Sequence, residues 1–568
     1  MYLQGTAVSN GAAVGAAYLY TPFKPQIEEH RLSPDQCKAA CRQLEDAKAS
    51  AAAELTKIIE SFKADGTAES AIFQAHMELL TDEDIWDEVL AEVHQGANPG
   101  LALDQVFGQY IALLQANEDA MMRERADDLK DVRNRLLRNL SGAPEQSLSH
   151  LPGPVIVVAH DLLPADTATM DRENVLAVVT EIGGQTSHLA ILARSYGIPA
   201  VLGVTNALHL VSDGMLVAVD GSSGEVVAAP DRETQRDFAC RREAYRQKHR
   251  TAERFLYEPC RSADGTAVEI GVNLGEVSPA STGLEPCADL VGLFRTEFLY
   301  MQNEKLPTED EQFDAYSRLL RAYASKPVVL RTLDIGGDKA LPCLPLPKED
   351  NPFLGKRALR LCLDREDLFV TQLRAALRAS IYGNLWIMFP MVGTPDDWRR
   401  AKALVDQVRA QLSREGVPFS PDVKLGIMLE IPSIIIMADQ IVDEVDFASI
   451  GTNDLCQYTL AVDRGNPELR DYYQMYSPAV FRLIAHVTAV FRRADKPICV
   501  CGEIGGDEAA CLALVGMGLR KLSMNGSSIA AVKKAISEKS ISQMETMARR
   551  VLDCATDAEV RAYFNSIL

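Results

Sequence analysis

Residues 447–454 read Phe447-Ala448-Ser449-Ile450-Gly451-Thr452-Asn453-Asp454. Four residues suited to a buried strand are followed at once by a glycine and by polar side chains. In barrels of parallel strands, the side chains that carry chemistry stand where the strands end. The stretch therefore predicts one strand of such a barrel, with Asn453 and Asp454 at the strand end where an active site would lie.

The same pattern recurs through the C-terminal half of the chain. Eight apolar runs separated by helical stretches lie at residues 268–273, 290–295, 327–331, 385–390, 425–430, 447–450, 498–501 and 521–524. Eight strand–helix units over about 300 residues are typical of a (β/α)8 barrel. We therefore predict this fold for the C-terminal half.

The ends of the predicted strands are unusually polar. They carry Arg295 with Glu297, Arg331 with Asp334, Glu430, Asn453 with Asp454, and Cys501 with Glu503. The guanidinium groups of Arg295 and Arg331 suit phosphate or carboxylate groups, because their N–H donors can bind two oxygens at once. Arg464 offers a third anion contact. The carboxylates of Glu430 and Asp454 suit magnesium, which keeps few protein ligands. Each residue alone could equally belong to a structural ion pair, but their convergence favours a site.

Cys501 has two interpretations. Cys499 and Cys501 alternate along one predicted strand and therefore share a face. A buried cysteine usually behaves as a small apolar residue. At a strand end beside a metal and an anion, however, its thiol could donate a proton. The pattern leaves both interpretations open.

A second motif lies far away, at Gly183-Gly184-Gln185-Thr186-Ser187-His188. It follows an apolar strand at residues 175–180 and opens an apolar helix. Thr186 or Ser187 suits the N-cap position, so His188 lies in the first turn. Backbone N–H groups without helical partners favour an anion there, and imidazole is a nucleophile near neutral pH. A capping or buried histidine is the structural alternative.

The N-terminal half combines strands with a helical insertion. Residues 1 to about 20 resemble short strands, and from Ser33 to about Asn139 the pattern is helical with breaks near Asp65-Gly66 and at residues 96–100. Strands return at residues 154–158. We predict an α/β domain at 1–32 and 144–230, a helical subdomain at 33–143, a linker helix at 231–258, and the barrel at 259–568.

Composition narrows the class of protein. The 568 residues carry a net charge of −21, from 58 basic and 79 acidic side chains, which argues against nucleic acid as a partner. The twelve cysteines show no zinc-type spacing and indicate reduced thiols. Without a signal peptide or a long apolar run, we expect a cytoplasmic protein that does not insert into membranes.

Taken together, these motifs resemble enzyme I of the bacterial sugar phosphotransferase system, the phosphoenolpyruvate–protein phosphotransferase family. The likeness covers nearly the whole chain. Its most specific stretches are residues 183–194, 292–299, 333–339, 351–355 and 449–455.

The resemblance implies a fold and a reaction cycle. A swivelling phosphohistidine α/β domain with an inserted helical subdomain, which docks the carrier HPr, would precede a dimerising barrel that binds phosphoenolpyruvate with Mg²⁺, or Mn²⁺ in its place. It implies His188 as the phosphorylated residue, oriented by Thr167, and Cys501 as the acid that protonates enolpyruvate. The implied substrate contacts are Arg295, Arg331, Arg357, Asn453, Asp454 and Arg464, and the implied metal ligands are Glu430 and Asp454.

Carrier docking is predicted on the helical subdomain, around residues 72–84. This segment has more apolar residues than one buried face of a helix needs, so some of them could contact a partner. Acidic residues follow, which suits a partner with a basic surface. The predicted contacts are His76, Leu79, Asp82 and Asp84. Burial of the same residues in the bundle core is the alternative.

Three positions depart from the family pattern: Gln185 and Lys356, where a basic residue and a tryptophan are usual, and Asn10, where proline is typical. None removes a catalytic group. Two other functions stay open: a regulatory or scaffold paralogue, and an enzyme like pyruvate phosphate dikinase. The dikinase would need a nucleotide-binding domain upstream, for which we expect neither the room nor the glycine-rich loop in this chain.

Overall fold

The computed structural model of the chain describes residues 1–21, 27, 32–63, 69–115, 120–142, 148, 151, 153–162, 166–167, 170–184, 188–301, 305–336, 343–344, 346–347 and 349–567. These residues form two units, Met1–Lys248 and His249–Leu568.

The first unit is built on an eight-stranded sheet. Its strands are β1 (Tyr2–Gln4), β2 (Thr6–Ser9), β3 (Ala12–Tyr20), β4 (Val155–Ala159), β5 (Val175–Thr180), β6 (Ala200–Leu202), β7 (Leu216–Asp220) and β8 (Glu225–Ala228). They lie in the order β1-β8-β7-β3-β4-β5-β6-β2. Strands β3 to β6 run parallel, and the outer pairs are antiparallel.

Both faces of this sheet are buried. In β4, Val155, Val157 and Ala159 pack into one apolar cluster, while Ile156 and Val158 pack into another. The two-residue period of a strand sends alternate side chains to opposite faces, so a run that is apolar throughout fits a central strand.

A helical bundle is inserted between the neighbouring strands β3 and β4. Its helices are α1 (Pro34–Lys63), α2 (Glu69–Thr81), α3 (Glu83–His94), α4 (Pro99–Gln115) and α5 (Ala120–Ser141). Leu44, Ala51 and Leu55 recur at helical spacing in α1 and are fully buried. The predicted break at residues 96–100 is confirmed, whereas Asp65-Gly66 lies outside the described residues.

Three further helices follow in sequence: α6 (His188–Tyr196), α7 (Ala207–Leu210) and α8 (Arg232–Glu253). The start of α8 is attached to the sheet of the first unit. Phe238 is buried against Ala218 and Val227, and Arg241 donates hydrogen bonds to Asp220 (3.0 Å) and Glu225 (2.8 Å).

The second unit is a closed barrel of eight parallel strands. They are β9 (Glu269–Leu274), β10 (Leu290–Phe294), β11 (Pro327–Arg331), β12 (Asn384–Phe389), β13 (Lys424–Leu429), β14 (Phe447–Ile450), β15 (Ile498–Val500) and β16 (Lys521–Met524). Each pairs with the next in sequence, and β16 closes the ring on β9.

Helices surround this barrel. They are α9 (Pro279–Thr282), α10 (Phe298–Met301), α11 (Glu309–Tyr323), α12 (Leu359–Asp364), α13 (Glu366–Ala379), α14 (Pro395–Glu415), α15 (Pro432–Ile436), α16 (Ala438–Ile441), α17 (Thr452–Leu460), α18 (Pro478–Arg493), α19 (Ala510–Gly516), α20 (Ile529–Ser537), α21 (Ile541–Asp553) and α22 (Asp557–Ile567). Local signals start several of them: Thr308 and Thr394 form capping boxes ahead of α11 and α14.

The predicted fold class is therefore confirmed, with the α/β sheet, the helical insertion and the (β/α)8 barrel all present. The predicted domain boundaries stay predictions. Among the described helices, none combines the length and the apolar character needed to cross a bilayer.

Candidate active site

Strand alternation directs side chains of β13 either to the helices or to the inside of the barrel. Leu425, Ile427 and Leu429 pack outward in the core between strands and helices. Met428, between two of them, packs inside the barrel. Glu430 follows at the strand end and continues the inward register.

Two other strands bring predicted site residues to the barrel mouth in the same way. In β11, Val329 belongs to the inner cluster, so the two-residue period turns Arg331 inward as well. At the end of β15, Cys501 is itself part of the inner cluster. The barrel mouth therefore collects a cation, a carboxylate and a thiol from three separate strands.

Arg331 is buried between two carboxylates at the mouth. Its guanidinium lies 2.7 Å from Glu297 and 2.8 Å from Asp334. Burial lowers the pKa of Arg331, but the surrounding carboxylates, with Glu297 and Asp334 foremost, together outweigh burial and raise it above the ordinary value. The cation is therefore permanent and held in a fixed orientation.

Arg357 shares Asp334 with Arg331. Its Nη2 lies 2.9 Å from Asp334 and 3.6 Å from Asp454, and its Nη1 donates to the Tyr458 hydroxyl at 3.3 Å. Arg357 reaches the mouth from the segment after β11. The guanidinium of this predicted substrate arginine thus stands beside a predicted metal carboxylate.

Arg295 differs from these two arginines. Its side chain is exposed and, among the described residues, has no hydrogen bond or ion pair. Two causes lower the pKa of Arg295. The larger is the loss of water displaced by the surrounding protein, and the second is repulsion from the Arg331 cation. A guanidinium without a protein partner beside a second cation is suited to receive an anion.

Glu430 and Asp454 bring two buried carboxylates into the same mouth. Glu430 is fully buried, and its Oε1 accepts a 2.6 Å hydrogen bond from the backbone N–H of Met391. Within the described part of the chain, Oε2 of Glu430 and Oδ1 of Asp454 have no hydrogen-bond partner. Burial, then the charges of Asp454 and Asp334, raise the pKa of Glu430 to about 8. Buried oxygens that lack donors fit a cation.

No group of three or more His, Cys, Asp or Glu side chains is arranged to hold a metal ion in the residues that the structure describes. A cation here would thus have two protein carboxylates and would complete its shell from substrate and water, as magnesium commonly does.

Asn453 and Arg464 lie at the edge of the same site. Arg464 is half-buried, and its Nη2 lies 3.6 Å from Oδ1 of Asp454. The Asn453 side-chain oxygen accepts a long hydrogen bond, 3.4 Å, from the backbone N–H of Glu503. The structure thus brings both residues to the strand end that carries Asp454.

Cys501 is buried at the end of β15. Its thiol lies 3.5 Å from the carbonyl oxygen of Ile450. Burial is the main cause that raises the pKa of Cys501 to about 11. The group is therefore a thiol rather than a thiolate at neutral pH, which is the form that an acid requires.

In the first unit, the helix start predicted at His188 is confirmed, because α6 begins at that residue. Gln185, Thr186 and Ser187 lie outside the described residues, and so does the His188 side chain. Thr167 is buried, and the neighbouring Asp166 accepts a 2.6 Å hydrogen bond from Tyr20. The orienting role of Thr167 stays a prediction.

The predicted docking residues divide into two groups. His76 is buried and pairs with Asp128 at 3.1 Å, and Leu79 is half-buried against the bundle core. Asp82 and Asp84 are exposed, and Asp82 caps α3. The exposed acids are free to meet a partner surface, whereas the burial of His76 favours the structural alternative for that residue.

Sequence reasoning missed Tyr458 and Met391. The Tyr458 hydroxyl donates to the carbonyl of Phe353 at 2.6 Å and accepts from Arg357. A signal existed for Tyr458, because it follows Asp454 by four residues and lies on the same face of α17. No local pattern marks Met391, which donates to Glu430 and has a positive φ of 56°.

Comparisons with known proteins show the family of the chain. Sequence profiles of the PEP-utilising enzymes match as the N-terminal region at residues 4–125, the mobile domain at 151–224 and the PEP-binding domain at 249–541. A phosphoenolpyruvate-protein phosphotransferase of Priestia megaterium is 41% identical, covering 99% of this chain and 98% of its own. That of Bacillus subtilis (strain 168) is also 41% identical over 99% of this chain and 98% of its own.

A solution structure of an Enzyme I protein (nEIt) is 37% identical, with a TM-score of 0.39, and covers 43% of this chain and 99% of its own. The barrel mouth gathers arginines and buried carboxylates, an arrangement suited to an enzyme that acts on an anionic substrate. The chain belongs to the phosphoenolpyruvate-protein phosphotransferase family of PEP-utilising enzymes. The family predicted from the sequence is confirmed.

Proposed function

We propose that this enzyme transfers the phosphoryl group of phosphoenolpyruvate to its own His188 and then to the carrier HPr, releasing pyruvate, as the first step of sugar uptake by the phosphotransferase system. The observation that carries the proposal is the barrel mouth, where Arg295, which has no side-chain partner among the described residues, stands near the fixed Arg331. Arg357 is fixed in the same mouth, because it shares Asp334 with Arg331. Family membership supports the same reaction.

The arginines would bind the substrate's two anionic groups. Within the part of the chain that the structure describes, Arg295 can take an anion without breaking an ion pair. Arg331, Arg357 and Arg464 would add positive charge around it, and Asn453 would contribute a neutral contact. Neutralising the phosphate and carboxylate charges before reaction makes transfer mostly a matter of positioning and electrostatics.

Glu430 and Asp454 would hold the divalent ion, Mg²⁺ or Mn²⁺ in its place. Each offers a buried oxygen that lacks a hydrogen-bond donor in the described residues, which supports this assignment. When bound, the ion would draw electron density from the phosphoryl oxygens and fix their orientation.

His188 would act as the nucleophile. The lone pair of its neutral imidazole forms the N–P bond as the P–O bond of phosphoenolpyruvate breaks, and that bond's electrons remain on the enolate oxygen. Thr167 would orient the ring. The phosphoryl group at the start of α6 is favoured by the helix dipole.

Cys501 would complete the reaction at carbon. Its thiol proton passes to the methylene carbon of the enolate, which yields pyruvate and leaves a thiolate. Water then returns a proton to the sulfur, as the raised pKa of Cys501 favours.

The partners follow from two surfaces. The exposed Asp82 and Asp84 would meet a basic face of HPr, with Leu79 at the edge of the contact. On the barrel, Leu354, Ile436 and Met437 are exposed apolar side chains in segments that follow strand ends, and they support a homodimer formed through the barrel. We infer a cytoplasmic location, where the twelve free cysteines would stay reduced.

The test is transfer of label from radiolabelled phosphoenolpyruvate in the presence of Mg²⁺. Acid-labile, base-stable label is expected on the protein and then on HPr. His188→Ala should remove the label, while His160→Ala, which alters an exposed histidine of the same unit, should retain it. Absence of label on the wild-type chain would instead identify a regulatory paralogue.

A further inference from the structure

Below the barrel mouth, two polar side chains face inward near Cys501, beside the apolar inner cluster. Gly271 and Asn273 on β9 and Ser523 on β16 alternate with residues of the outer core, so they face the inside of the barrel. Ser523 is fully buried. Polar side chains at such depth require hydrogen-bond partners.

These side chains form a chain of two hydrogen bonds that ends at Cys501. The Ser523 hydroxyl donates to Oδ1 of Asn273 at 2.7 Å, and Nδ2 of Asn273 donates to the backbone carbonyl of Cys501 at 2.8 Å. Because Ser523 occupies the amide oxygen, the amide nitrogen is directed toward the carbonyl.

Two glycines make room for this arrangement. A Cβ atom on Gly292 would lie 2.5 Å from the Ser523 hydroxyl oxygen, and one on Gly271 would lie 3.0 Å from it. A larger residue at Gly292 would therefore displace the hydroxyl that orients Asn273.

The Cys501 peptide is consequently held from two directions. Its N–H donates to the carbonyl of Ile450 at 3.1 Å, and its own carbonyl accepts from Asn273. The following residue, Gly502, is closely packed, because a Cβ there would collide with the Thr452 hydroxyl. Small displacements of a reacting group are costly, so such a clamp matters for a proton donor.

We propose that Asn273 and Ser523 are positioning residues for the Cys501 thiol, holding it where it can protonate the enolate. The inference rests on the proposed role of Cys501 as the acid. Neither residue is needed for phosphoryl transfer to the histidine, since the arginines and carboxylates occupy other strand ends.

Asn273→Asp is the sharpest test. The carboxylate still accepts from Ser523 but cannot donate to the Cys501 carbonyl. Asn384 supplies a matched control at the opposite end of a barrel strand, because it accepts from Trp386 at 2.9 Å and donates to the Ser325 carbonyl at 3.3 Å. Ser523→Ala tests the orienting bond if Asn273→Asp does not fold.

Single-turnover reactions of the full-length chain with Mg²⁺ and phosphoenolpyruvate, stereospecifically tritiated at the methylene, are run in D₂O. Protein phosphorylation should stay within about twofold in Asn273→Asp, while stereospecific protonation falls about tenfold to a hundredfold. Ser523→Ala should fall in the same direction, and Asn384→Asp should change neither measure.

Unchanged protonation in Asn273→Asp, or in Ser523→Ala where only that variant folds, would overturn the inference. Equal losses of phosphorylation and protonation would also overturn it, because they indicate a general structural role. Cys501→Ser separates this failure from failure of the proposed function: stereospecific protonation retained in that variant would remove Cys501 as the acid.

Discussion

Met391 donates its backbone N–H to Oε1 of Glu430 at 2.6 Å, and it does so from a left-handed backbone conformation with a φ of 56°. Such a conformation in a residue with a side chain costs on the order of 1 kcal/mol or more. The strained residue lies beside the Glu430 carboxylate. Its hydrogen bond fixes Oε1 of Glu430, whereas Oε2 has no hydrogen-bond donor among the described residues.

Glu430→Gln should therefore raise stability while lowering activity. The amide keeps an oxygen for Met391 and removes the cost of burying an ionisable carboxyl, so we expect the metal-free protein to gain on the order of 1–3 kcal/mol. Thermal unfolding with and without Mg²⁺ measures this, and the stabilisation by Mg²⁺ should disappear in the variant. Glu503→Gln, at an exposed strand end, is the control. Lower stability of metal-free Glu430→Gln would contradict the assignment.

Arg295→Ala and Arg331→Ala should separate binding from stability. Arg295 has no side-chain partner among the described residues, so its removal should change the free energy of unfolding by less than about 1 kcal/mol. Removal of Arg331 leaves the buried Glu297 without its cation and Asp334 with Arg357 alone, and should cost about 3–5 kcal/mol. Phosphorylation should fall in both variants on the order of 10²–10³-fold. Denaturant titration with the labelling assay distinguishes them, and equal stability losses would show that Arg295 is also structural.

Cys501→Ser should uncouple the two halves of the reaction. Label should still reach the protein, but pyruvate should form slowly because a hydroxyl is a far weaker acid than a thiol. Cys499→Ser changes the preceding inward-facing thiol of β15 and should leave both steps intact. Rapid quench for the phosphoprotein and a coupled pyruvate assay measure the two rates.

The same thiol gives a pH prediction. Burial raises the pKa of Cys501 to about 11, so the proton should remain available through pH 9. Pyruvate formation per phosphorylation event should then be constant from pH 7 to pH 9. A decline centred near pH 8 would show that the thiol titrates as an ordinary cysteine.

Asp131→Asn should stabilise the first unit at neutral pH. Burial, with further contributions from Asp166 and Asp128, raises the pKa of Asp131 to about 6, while His76 opposes the shift. A raised carboxyl pKa contributes stability below about pH 4 that is lost as pH rises through 6. The variant should gain about 1–2 kcal/mol at pH 7.5 and much less at pH 4.5.

Denaturant unfolding at the two pH values measures this difference. Asp128→Asn is the matched control in the same helix, because it removes the partner of His76 and should not stabilise. A gain of the same size at both pH values would show that the Asp131 charge is not its cause.

Much of this protein could be predicted from local sequence patterns. Alternation within single strands predicted the barrel and put Arg331, Glu430 and Cys501 at its mouth, because the two-residue period depends only on neighbouring residues. The glycines and apolar helix around His188 likewise predicted the start of α6. These are short-range signals, and each is complete within one segment.

Tertiary structure alone decided which of the polar groups are paired. Arg331 and Arg357 share Asp334, whereas Arg295 has no side-chain partner in the part of the chain that is described. Asn273 reaches Cys501 across 228 positions of the chain. No local period encodes such contacts, because they arise only when the closing of the barrel brings distant segments together.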